Sequence, residues 1–406
     1  MSRIELVGIN GKTLTSEQWP ILRRCRTIVA SRRHRPLVAG LLHPMIDIAP
    51  VGAMLERLAS ALEEGDVAVL ASGDPLFFGI GRTLIERFGA ERIRIHPALS
   101  AVQLACARFC ISWDDLTLIS LHGRSPLDIP GRILNHVRVM LFTDNRNSPD
   151  TIAAALLAAL RACDDQKRID SIRLRVAENL ALPEERITVG SLAEIADNRF
   201  SPLNMMLIEQ PPSQTVQPGI RFGLDEEEIR HSRGLITKSE VRAATLHQLR
   251  LPAADGVLWD IGGGSGSISL EAARFCPELS IYTIEKKAEE QANIRANIRT
   301  FGTYTMHLVC GEAPEALTDL PAPNRIFVGG SGKRLPNILE AAVARLADNG
   351  RIVVNAVLEQ TETTALDCLR QLGLRVASST LAVTRRTYPD GASRVFNPIT
   401  LITGDK

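Results

Sequence analysis

A glycine-rich turn in the second half of the chain, followed by an acidic residue one stretch later, is the feature best suited to bind a ligand. The run begins at Asp260 and places glycines at Gly262, Gly264 and Gly266, between an apolar stretch and an amphipathic one. Such glycines let the backbone turn sharply and approach a ligand, and the helix that follows offers unpaired N–H groups to a carboxylate. Glu285 ends the next apolar stretch, where its carboxylate can accept hydrogen bonds from both hydroxyls of a ribose. The pattern predicts a nucleoside site at the carboxyl edge of a sheet.

The spacing of these glycines distinguishes between two kinds of nucleoside. A dinucleotide fingerprint, Gly-x-Gly-x-x-Gly, would require a glycine at position 267, where the chain has Ser267. The observed Gly-x-Gly-x-Gly spacing, with Asp260 two residues before its first glycine, resembles the turn of the class I S-adenosylmethionine methyltransferases. This resemblance implies that Asp260 reaches the ammonium group of the methionine, directly or through water.

Segments on both sides of this turn occur in the order found in one methyltransferase family. Over about residues 223–401 the chain resembles the decarboxylating precorrin methyltransferases. The matching segments are 234–242 (GLITKSEVR), 259–267 (WDIGGGSGS), 311–316 (GEAPEA), 328–332 (VGGSG) and 354–357 (VNAV). This family usually has aspartate where the chain has Glu312, a position that the resemblance implies touches the adenine.

The first half of the chain independently resembles the tetrapyrrole methylases. The matching segments are 7–9 (VGI), 14–15 (LT), 31–34 (SRRH), 72–76 (SGDPL), 97–102 (PALSAV), 120–124 (SLHGR) and 201–204 (SPLN). The resemblance implies a second S-adenosylmethionine site, with a floor under the methionine and a frame around a folded adenosine. The residues that it assigns to this site are Gly73, Asp74, Pro75, Ser100, Ala101 and Leu203.

The organisation of the chain follows from the alternation of apolar strand-like and amphipathic helix-like stretches. This alternation predicts an α/β fold with a largely parallel sheet in the first half. The proline-rich segment 211–219 predicts an extended linker. With the resemblances, we expect a two-subdomain tetrapyrrole methylase fold over residues 1–210. A Rossmann-like class I S-adenosylmethionine methyltransferase is expected over residues 220–406.

The two resemblances together imply one reaction. Two methyl groups from S-adenosylmethionine would go to carbons 5 and 15 of precorrin-6B, and the ring C acetate would lose its carboxyl group, giving precorrin-8X. The resemblance assigns carbon 5 to the N-terminal domain, and carbon 15 with the decarboxylation to the C-terminal domain. Because the reduced macrocycle is itself a carbon nucleophile, the protein must mainly align the reactants and exclude water. No Ser-His-Asp or paired-carboxylate arrangement is therefore expected, and no residue is given a catalytic role.

The tetrapyrrole carries many acetate and propionate groups, so we expect cations at its binding sites. A flexible glycine loop could also let the flat macrocycle approach the C-terminal site. The residues predicted to bind substrate are Arg32, Arg33, Arg124, Lys238, Arg242, Gly330, Ser331 and Lys333. Solvated surface charge is an equally good interpretation of any single cation in this set.

The composition of the chain limits which other molecules it is expected to bind. Lys plus Arg (47) nearly equals Asp plus Glu (46), so a surface suited to nucleic acid is not expected. The 7 cysteines form no Cys-x-x-Cys pair, which favours reduced thiols in a cytoplasmic protein and predicts no metal site. No stretch has the length and apolar character of a membrane span. Oligomers are common among relatives of each domain, so a homo-oligomer is expected.

Two other functions remain open at this point. A nucleic-acid methyltransferase could use a similar glycine turn, although the chain lacks the Asn/Asp-Pro-Pro-Tyr/Phe tetrapeptide and is almost neutral. A non-catalytic S-adenosylmethionine sensor is the alternative from a different class. Binding of tRNA would favour the first, and failure to turn over precorrin-6B would favour the second.

Overall fold

Two five-stranded sheets form the first half of the described chain, and a seven-stranded sheet forms the second half. The computed structural model describes residues 2–11, 13–121, 128–211, 222–234, 236–252, 255–389 and 391–406. The linker expected at residues 211–219 falls outside these ranges except for its first residue. Within the described ranges, no helix is both long and apolar enough to cross a membrane.

The first sheet is wholly parallel and belongs to the first subdomain. Its strands are β1 (Ile4–Ile9), β2 (Thr27–Ala30), β3 (Met45–Asp47), β4 (Val67–Ser72) and β5 (Ile93–His96). The accompanying helices are α1 (Gln18–Arg24), α2 (Val51–Glu64) and α3 (Gly81–Phe88). The strand order is β3-β2-β4-β1-β5, and every residue of β1 is buried. Continuous apolar runs suit central parallel strands because helices cover both faces.

The second sheet is mixed. Its strands are β6 (Thr117–Ser120), β7 (Arg138–Phe142), β8 (Arg173–Glu178), β9 (Arg186–Gly190) and β10 (Asn204–Glu209). The helices of this region are α4 (Ala101–Phe109), α5 (Ile129–Leu134), α6 (Pro149–Ala162), α7 (Gln166–Ser171) and α8 (Leu192–Ala196). The order is β6-β7-β10-β8-β9, and only β6 and β7 pair in parallel. The prediction of a largely parallel sheet is therefore wrong here, because β10 returns between β7 and β8 and the β8–β9 connection is too short for a crossover.

The third sheet carries the glycine-rich turn. Its strands are β11 (Gly256–Ile261), β12 (Leu279–Glu285), β13 (Met306–Cys310), β14 (Arg325–Val328), β15 (Arg351–Ala356), β16 (Arg375–Leu381) and β19 (Ile399–Asp405), and β17 (Thr384–Arg386) pairs with β18 (Ser393–Val395). The helices are α9 (Ser239–Leu249), α10 (Ser267–Phe275), α11 (Ala288–Phe301), α12 (Leu335–Arg345) and α13 (Glu359–Gln371). The order is β13-β12-β11-β14-β15-β19-β16, with only β19 antiparallel to its neighbours. Since β12 and β14 flank β11 on opposite sides, the chain reverses direction across the sheet at β11, where ligands of such folds bind.

Candidate cofactor sites

The turn after β11 has the backbone conformation that glycine adopts most readily. The φ angle is +72° at Gly262, +55° at Gly264 and +73° at Gly266. A Cβ atom on Gly262 would lie 2.2 Å from the carbonyl oxygen of Gly330, because the loop after β14 packs directly on this turn. On Gly264 a Cβ atom would meet nothing within 4 Å, so this part of the turn faces open space. The turn is therefore held from one side and accessible from the other.

Glu285 places its carboxylate against this turn. The backbone N–H of Gly264 donates to its Oε2 atom at 2.9 Å, and the backbone N–H of Lys287 donates to its Oε1 atom at 2.8 Å. The side chain is 7% exposed. The carboxylate lies at the end of β12, next to the open space over Gly264, with acceptor capacity left for further donors.

Asp260 is completely buried behind the turn rather than displayed on it. Its Oδ2 atom accepts from the hydroxyl of Ser269 at 2.6 Å, and the hydroxyl of Thr283 donates to Ser269 at 2.7 Å. Burial, with a smaller contribution from nearby Glu285, raises the pKa of Asp260 to about 6. Among the described residues, its Oδ1 atom has no hydrogen-bond partner. A donor such as an ammonium group, or a water held by one, would satisfy this atom, and in this respect the residues fit the expected cofactor.

The raised pKa of Asp260 predicts how stability depends on pH. The folded chain holds this proton more tightly than the unfolded chain, so the contribution to stability is complete below the ordinary pKa of 3.8 and is lost as the pH rises through about 6. The loss is about 3 kcal/mol, from about 1.4 kcal/mol per pKa unit. Asp260→Asn should remove it and raise the free energy of unfolding at pH 8. Urea unfolding at pH 4 and pH 8 measures this, and an equal pH dependence in both proteins would contradict it.

Glu312 lies on the neighbouring loop, directly after β13. The backbone N–H of Gly311 donates to the carbonyl oxygen of Glu285 at 3.1 Å, which holds this loop beside the end of β12. The carboxylate of Glu312 pairs with Lys286 at 2.7 Å and lies 3.9 Å from Arg334. The structure thus brings Glu312 to the same sheet edge as Glu285, with its side chain half exposed.

The cations predicted to bind substrate in this domain differ in their availability. Arg242 is 1% exposed, and its guanidinium donates to the carbonyl oxygens of Thr237 and Leu224 and lies 3.5 Å from Glu271. These contacts occupy the guanidinium inside the protein, so Arg242 does not belong in the substrate-binding set. Lys238, directly before α9, is partly exposed and lies 3.7 Å from Glu226.

The loop after β14 remains available to a ligand. Gly330 and Lys333 are exposed and Ser331 is partly exposed. The backbone N–H of Gly329 donates to the carbonyl oxygen of Ile261 at 3.0 Å, which fixes this loop at the carboxyl edge of the sheet. Gly330 therefore packs against the glycine-rich turn, and Ser331 and Lys333 follow it on the same loop.

A cavity of about 1790 Å³ lies between the two sheets of the first half. Its walls come from the carboxyl ends of β1, β4, β6 and β7 and from the start of β10. Single small-molecule sites usually enclose about 300–1,000 Å³. The cavity therefore has room for a cofactor together with a second, larger ligand.

Three loops of the first sheet converge at one side of this cavity. A Cβ atom on Gly8 would lie 2.2 Å from the carbonyl oxygen of Gly73 and 2.6 Å from the backbone nitrogen of Ala98. Gly73 itself has a φ angle of +62°. Ser100 caps α4 by accepting from the backbone N–H of Gln103 at 3.2 Å, which fixes the third loop. The backbone is packed here so closely that side chains are excluded.

Most of the residues predicted for this site line the cavity. They are Gly73, Asp74, Ser100, Ala101 and Leu203. Pro75 is buried beneath them, with its carbonyl oxygen 2.5 Å from where a Cβ atom on Gly79 would be, and so it shapes the turn from behind. Asp74 accepts from the backbone N–H of Leu76 at 2.9 Å, a bond that stabilises the same turn.

The arginines predicted to bind substrate in the first domain differ in their position relative to the cavity. Arg33 lines the cavity and donates to the hydroxyl of Ser72, whereas Arg32 is exposed and lies outside the lining. His34 also lines the cavity, and burial together with the charge of Arg33 lowers its pKa to about 4, so its ring is neutral near pH 7. Arg124 lies outside the described residues.

Sequence reasoning missed an aromatic wall of the cavity. Phe78 contacts Phe77 and Phe142, with ring centroids 5.0 and 4.9 Å away. Phe78 is 56% exposed and has a φ angle of +53°, a strained conformation for a bulky residue. The two phenylalanines that follow Gly-Asp-Pro-Leu were the available signal, since apolar side chains directly after a ligand-binding turn suit a flat ligand.

Models of two protein families match the chain, one in each half. The model described as Tetrapyrrole (Corrin/Porphyrin) Methylases matches residues 7–196, and that described as Precorrin methyltransferase domain matches residues 228–403. With the folds and the two sites, these matches define the class of protein. The chain is a methyltransferase in which a tetrapyrrole methylase fold is joined to a Rossmann-like one.

Curated relatives give the particular family. The decarboxylating precorrin-6Y C(5,15)-methyltransferase of a Sinorhizobium species is 35% identical over 401 residues, which is 98% of this chain and 92% of that protein. The chain belongs to the family of decarboxylating precorrin-6Y C(5,15)-methyltransferases. The prediction of an S-adenosylmethionine-dependent, decarboxylating C-methyltransferase with a tetrapyrrole substrate is confirmed.

Two shorter relatives carry single activities in their names. A probable cobalt-precorrin-6B C(15)-methyltransferase (decarboxylating) from Pyrobaculum calidifontis is 37% identical over 186 residues, covering 45% of this chain and 94% of that protein. The cobalt-precorrin-7 C(5)-methyltransferase of Salmonella typhimurium is 43% identical over 140 residues, covering 34% of this chain and 64% of that protein.

Proposed function

We propose that this chain methylates carbons 5 and 15 of precorrin-6B, which the relatives' names give as precorrin-6Y, and removes the carboxyl group of the ring C acetate. The product is precorrin-8X. The observation that carries the proposal is that one chain joins two different folds, one with a large cavity and the other with a glycine-rich turn bordered by the carboxylate of Glu285. A sensor would need only one such site, and a single methyl transfer would leave the other without a purpose.

The two activities divide between the domains. Residues 1–210 methylate carbon 5, and residues 220–406 methylate carbon 15 and decarboxylate. Relatives named for only one of these activities cover 34% and 45% of the chain, which supports two separable units. Each domain binds its own S-adenosylmethionine, and the chain acts as a cytoplasmic homo-oligomer that binds no nucleic acid.

In the C-terminal domain, the residues of the glycine-rich turn and its neighbours would hold S-adenosylmethionine, which would supply an electrophilic methyl group. The carboxylate of Glu285 would accept from the ribose hydroxyls, Glu312 would border the adenine, and a water held by the ammonium group would donate to the buried, unpartnered Oδ1 atom of Asp260. The N–H groups at the start of α10 receive the carboxylate of the methionine.

In the N-terminal domain, the cofactor lies where three loops converge. Gly73 and Asp74 form the floor, and Ser100, Ala101 and Leu203 frame the adenosine. The close packing of Gly8 on Gly73 keeps this floor free of side chains. The remaining volume of the cavity holds the macrocycle.

The macrocycle is held by charge at its rim and by apolar contact on its face. Arg33 in the first domain and Lys238 and Lys333 in the second meet carboxylates of the substrate. The wall formed by Phe77, Phe78 and Phe142 gives the flat ring a surface to stack on. No side chain needs to remove a proton from the ring carbon before the methyl transfer, so alignment and exclusion of water are the protein's main contributions.

Decarboxylation in this proposal uses the electronic structure of the substrate. The electron pair that remains when carbon dioxide leaves is taken up by the conjugated ring, and a proton from solvent then completes the methyl group on ring C. The exposed loop of Gly330 and Ser331 borders the departing carboxyl group, and its glycines allow the flat ring to approach.

Mass spectrometry of the reaction tests the proposed function directly. The full chain is incubated with precorrin-6B and S-adenosylmethionine labelled with ¹³C in the methyl group. We expect a product that has gained two labelled methyl groups and lost one carboxyl group, with release of unlabelled carbon dioxide. A product with one label and an intact carboxyl group, or labelling of added tRNA instead, would refute it.

A further inference from the structure

Apolar side chains from both halves of the chain are buried in one continuous cluster. From the first half it contains Leu160, Cys163 and Ile172, and from the second half Phe301 and Tyr304, each at most 7% exposed. Apolar burial of this kind is typical of permanent interfaces, whereas transient contacts are more polar. The two domains thus share a core in addition to the peptide that links them.

Tyr304 makes polar contacts across this interface. Its hydroxyl donates to the carboxylate of Asp165, and the guanidinium of Arg168 lies 4.6 Å from the centre of its ring. Burial raises the pKa of Tyr304 well above its ordinary value, so the hydroxyl keeps its proton and remains a donor. Asp165 also accepts from the backbone N–H of Arg168 at 3.1 Å, which ties the contact to the start of α7.

A second group of contacts connects α5 to the third sheet. Arg132 pairs with Asp255 and, at 3.0 Å, with Glu278, although its own side chain is only 15% exposed. The side-chain amide of Asn135 donates to the carbonyl oxygen of Pro277 at 3.1 Å. A third pair, between His307 and Asp128 at 2.8 Å, extends this group along β13. The contacts lie on several elements of each domain, so they fix orientation as well as proximity.

Part of the interface lies at the amino edge of the third sheet. Asp255 and Glu278 directly precede β11 and β12, and Tyr304 lies just before β13. A strand of the length of β12 spans about 20 Å, which separates these three residues from the glycine-rich turn at the carboxyl edge. The interface also runs along α11, where Arg295 donates to the carbonyl oxygen of Ala162 and reaches Cys310 at the carboxyl end of β13.

The same relation holds in the second sheet. Asn135 and Asp165 precede β7 and β8 in the chain and lie at the amino edge of these strands. Phe142 and Ala177, at or next to the carboxyl ends of β7 and β8, line the cavity. The first domain therefore makes these contacts at the sheet edge opposite to its cavity.

We propose that the two domains are permanently docked, with the cavity of the first domain facing away from the interface. The surface of each isolated domain fits one partner, the other domain of this chain. A consequence, which rests on the proposed function, concerns the singly modified tetrapyrrole. This intermediate is released into solvent from the site of one domain before it enters the site of the other domain, since an internal passage would have to cross the interface.

Cleavage of the linker in the otherwise intact chain tests the docking. A protease recognition sequence is inserted after Ser213, and the cut protein is examined by size-exclusion chromatography and native mass spectrometry. We expect the two fragments to stay together in equal amounts at micromolar concentration. Separation of the fragments of the otherwise native sequence would overturn the proposal.

Reversing the charge of Arg132 tests whether the contacts of α5 form the docking surface. Arg132→Glu should weaken the association of the cut fragments by at least 10-fold, because it places like charges opposite Asp255 and Glu278. Adding Asp255→Arg and Glu278→Arg to this variant should restore it. Arg26→Glu, in an exposed ion pair with Glu64 elsewhere, is the matched control and should change nothing. Equal weakening by both single variants, or failure of the triple variant to restore association, would show that the surface is assigned incorrectly.

Mixing two half-inactive chains tests the route of the intermediate. One chain carries Glu285→Ala in the C-terminal site, and the other carries Gly8→Ala in the N-terminal site. The mixture should form the fully modified product, and free singly methylated tetrapyrrole should be detectable. Wild-type activity without any product from the mixture would contradict release through solvent. Loss of both activities in each single variant would instead contradict the proposed division of function.

Discussion

Replacing Glu285 with alanine is expected to abolish methylation at carbon 15 and the release of carbon dioxide from precorrin-6B, while methylation at carbon 5 continues when the decarboxylated, 15-methylated tetrapyrrole is supplied. The carboxylate would lose its bonds to two ribose hydroxyls, and a hydrogen bond to a charged group is worth about 1.5–3 kcal/mol. The substitution also removes the acceptor for the backbone N–H of Gly264, which holds the turn in place. We therefore expect the cofactor affinity of this domain to fall by about 100-fold or more.

The measurement separates the two methyl groups by their position in the product. Labelled product is fragmented, and carbon dioxide is collected from the same reaction. Glu285→Gln keeps the shape and one acceptor, so it should fall between the wild type and the alanine variant. Glu289→Ala removes an exposed carboxylate at the start of α11 and should leave both activities unchanged. Undiminished carbon dioxide release in the Glu285→Ala variant would show that the cofactor does not bind at this turn.

Local pattern was sufficient to predict the glycine-rich turn and the strands around it. The apolar stretch before the turn is β11, the amphipathic stretch after it is α10, and the next apolar stretch is β12. These elements are long apolar or amphipathic runs, bounded by residues with clear turn or capping preferences, so their limits are determined locally. Glu285 is placed by the same local logic, since it ends the strand that follows the turn.

Contacts between residues that are distant in the chain determine features that the local sequence pattern does not predict. The sequence placed Lys238 and Arg242 in one substrate-binding set, but their spacing does not say what each side chain meets. Arg242 meets Glu271 of α10 and the carbonyl oxygen of Leu224, and so it is buried. The insertion of β10 between β7 and β8 is likewise a property of the assembled sheet, and the strand itself was not recognised from the sequence.

The candidate site of the first domain likewise combines residues that local motifs predict with residues that only the assembled fold brings together. Gly73 and Ser100 were predicted from motifs and line the cavity, because a motif records the short segments that surround a ligand. Phe78 and its neighbours form the opposite wall by packing across two subdomains, which no single segment reveals. The docking of the two domains was missed for the same reason. Tyr304 and Asp165 are 139 residues apart.

Gly8→Ala is expected to remove methylation at carbon 5 and to leave methylation at carbon 15 and decarboxylation intact. The new Cβ atom would lie 2.2 Å from the carbonyl oxygen of Gly73 and 2.6 Å from the backbone nitrogen of Ala98, neither of which can rotate away. The loops must therefore move apart. Overpacking of this kind costs about 1–3 kcal/mol of stability. A displacement of about 1 Å at a reacting centre can lower the rate by about 100-fold.

Thermal unfolding and product analysis together separate misplacement of the loops from loss of the fold. The Gly8→Ala variant should remain folded, with a lower melting temperature, and should release carbon dioxide at the wild-type rate. Gly52→Ala is the matched control, since a Cβ atom there meets nothing within 4 Å and alanine suits the interior of α2. Wild-type methylation at carbon 5 in the Gly8→Ala variant would mean that the converging loops do not hold the cofactor. Joint loss of both activities would mean that the shared interface transmits the disturbance from one domain to the other.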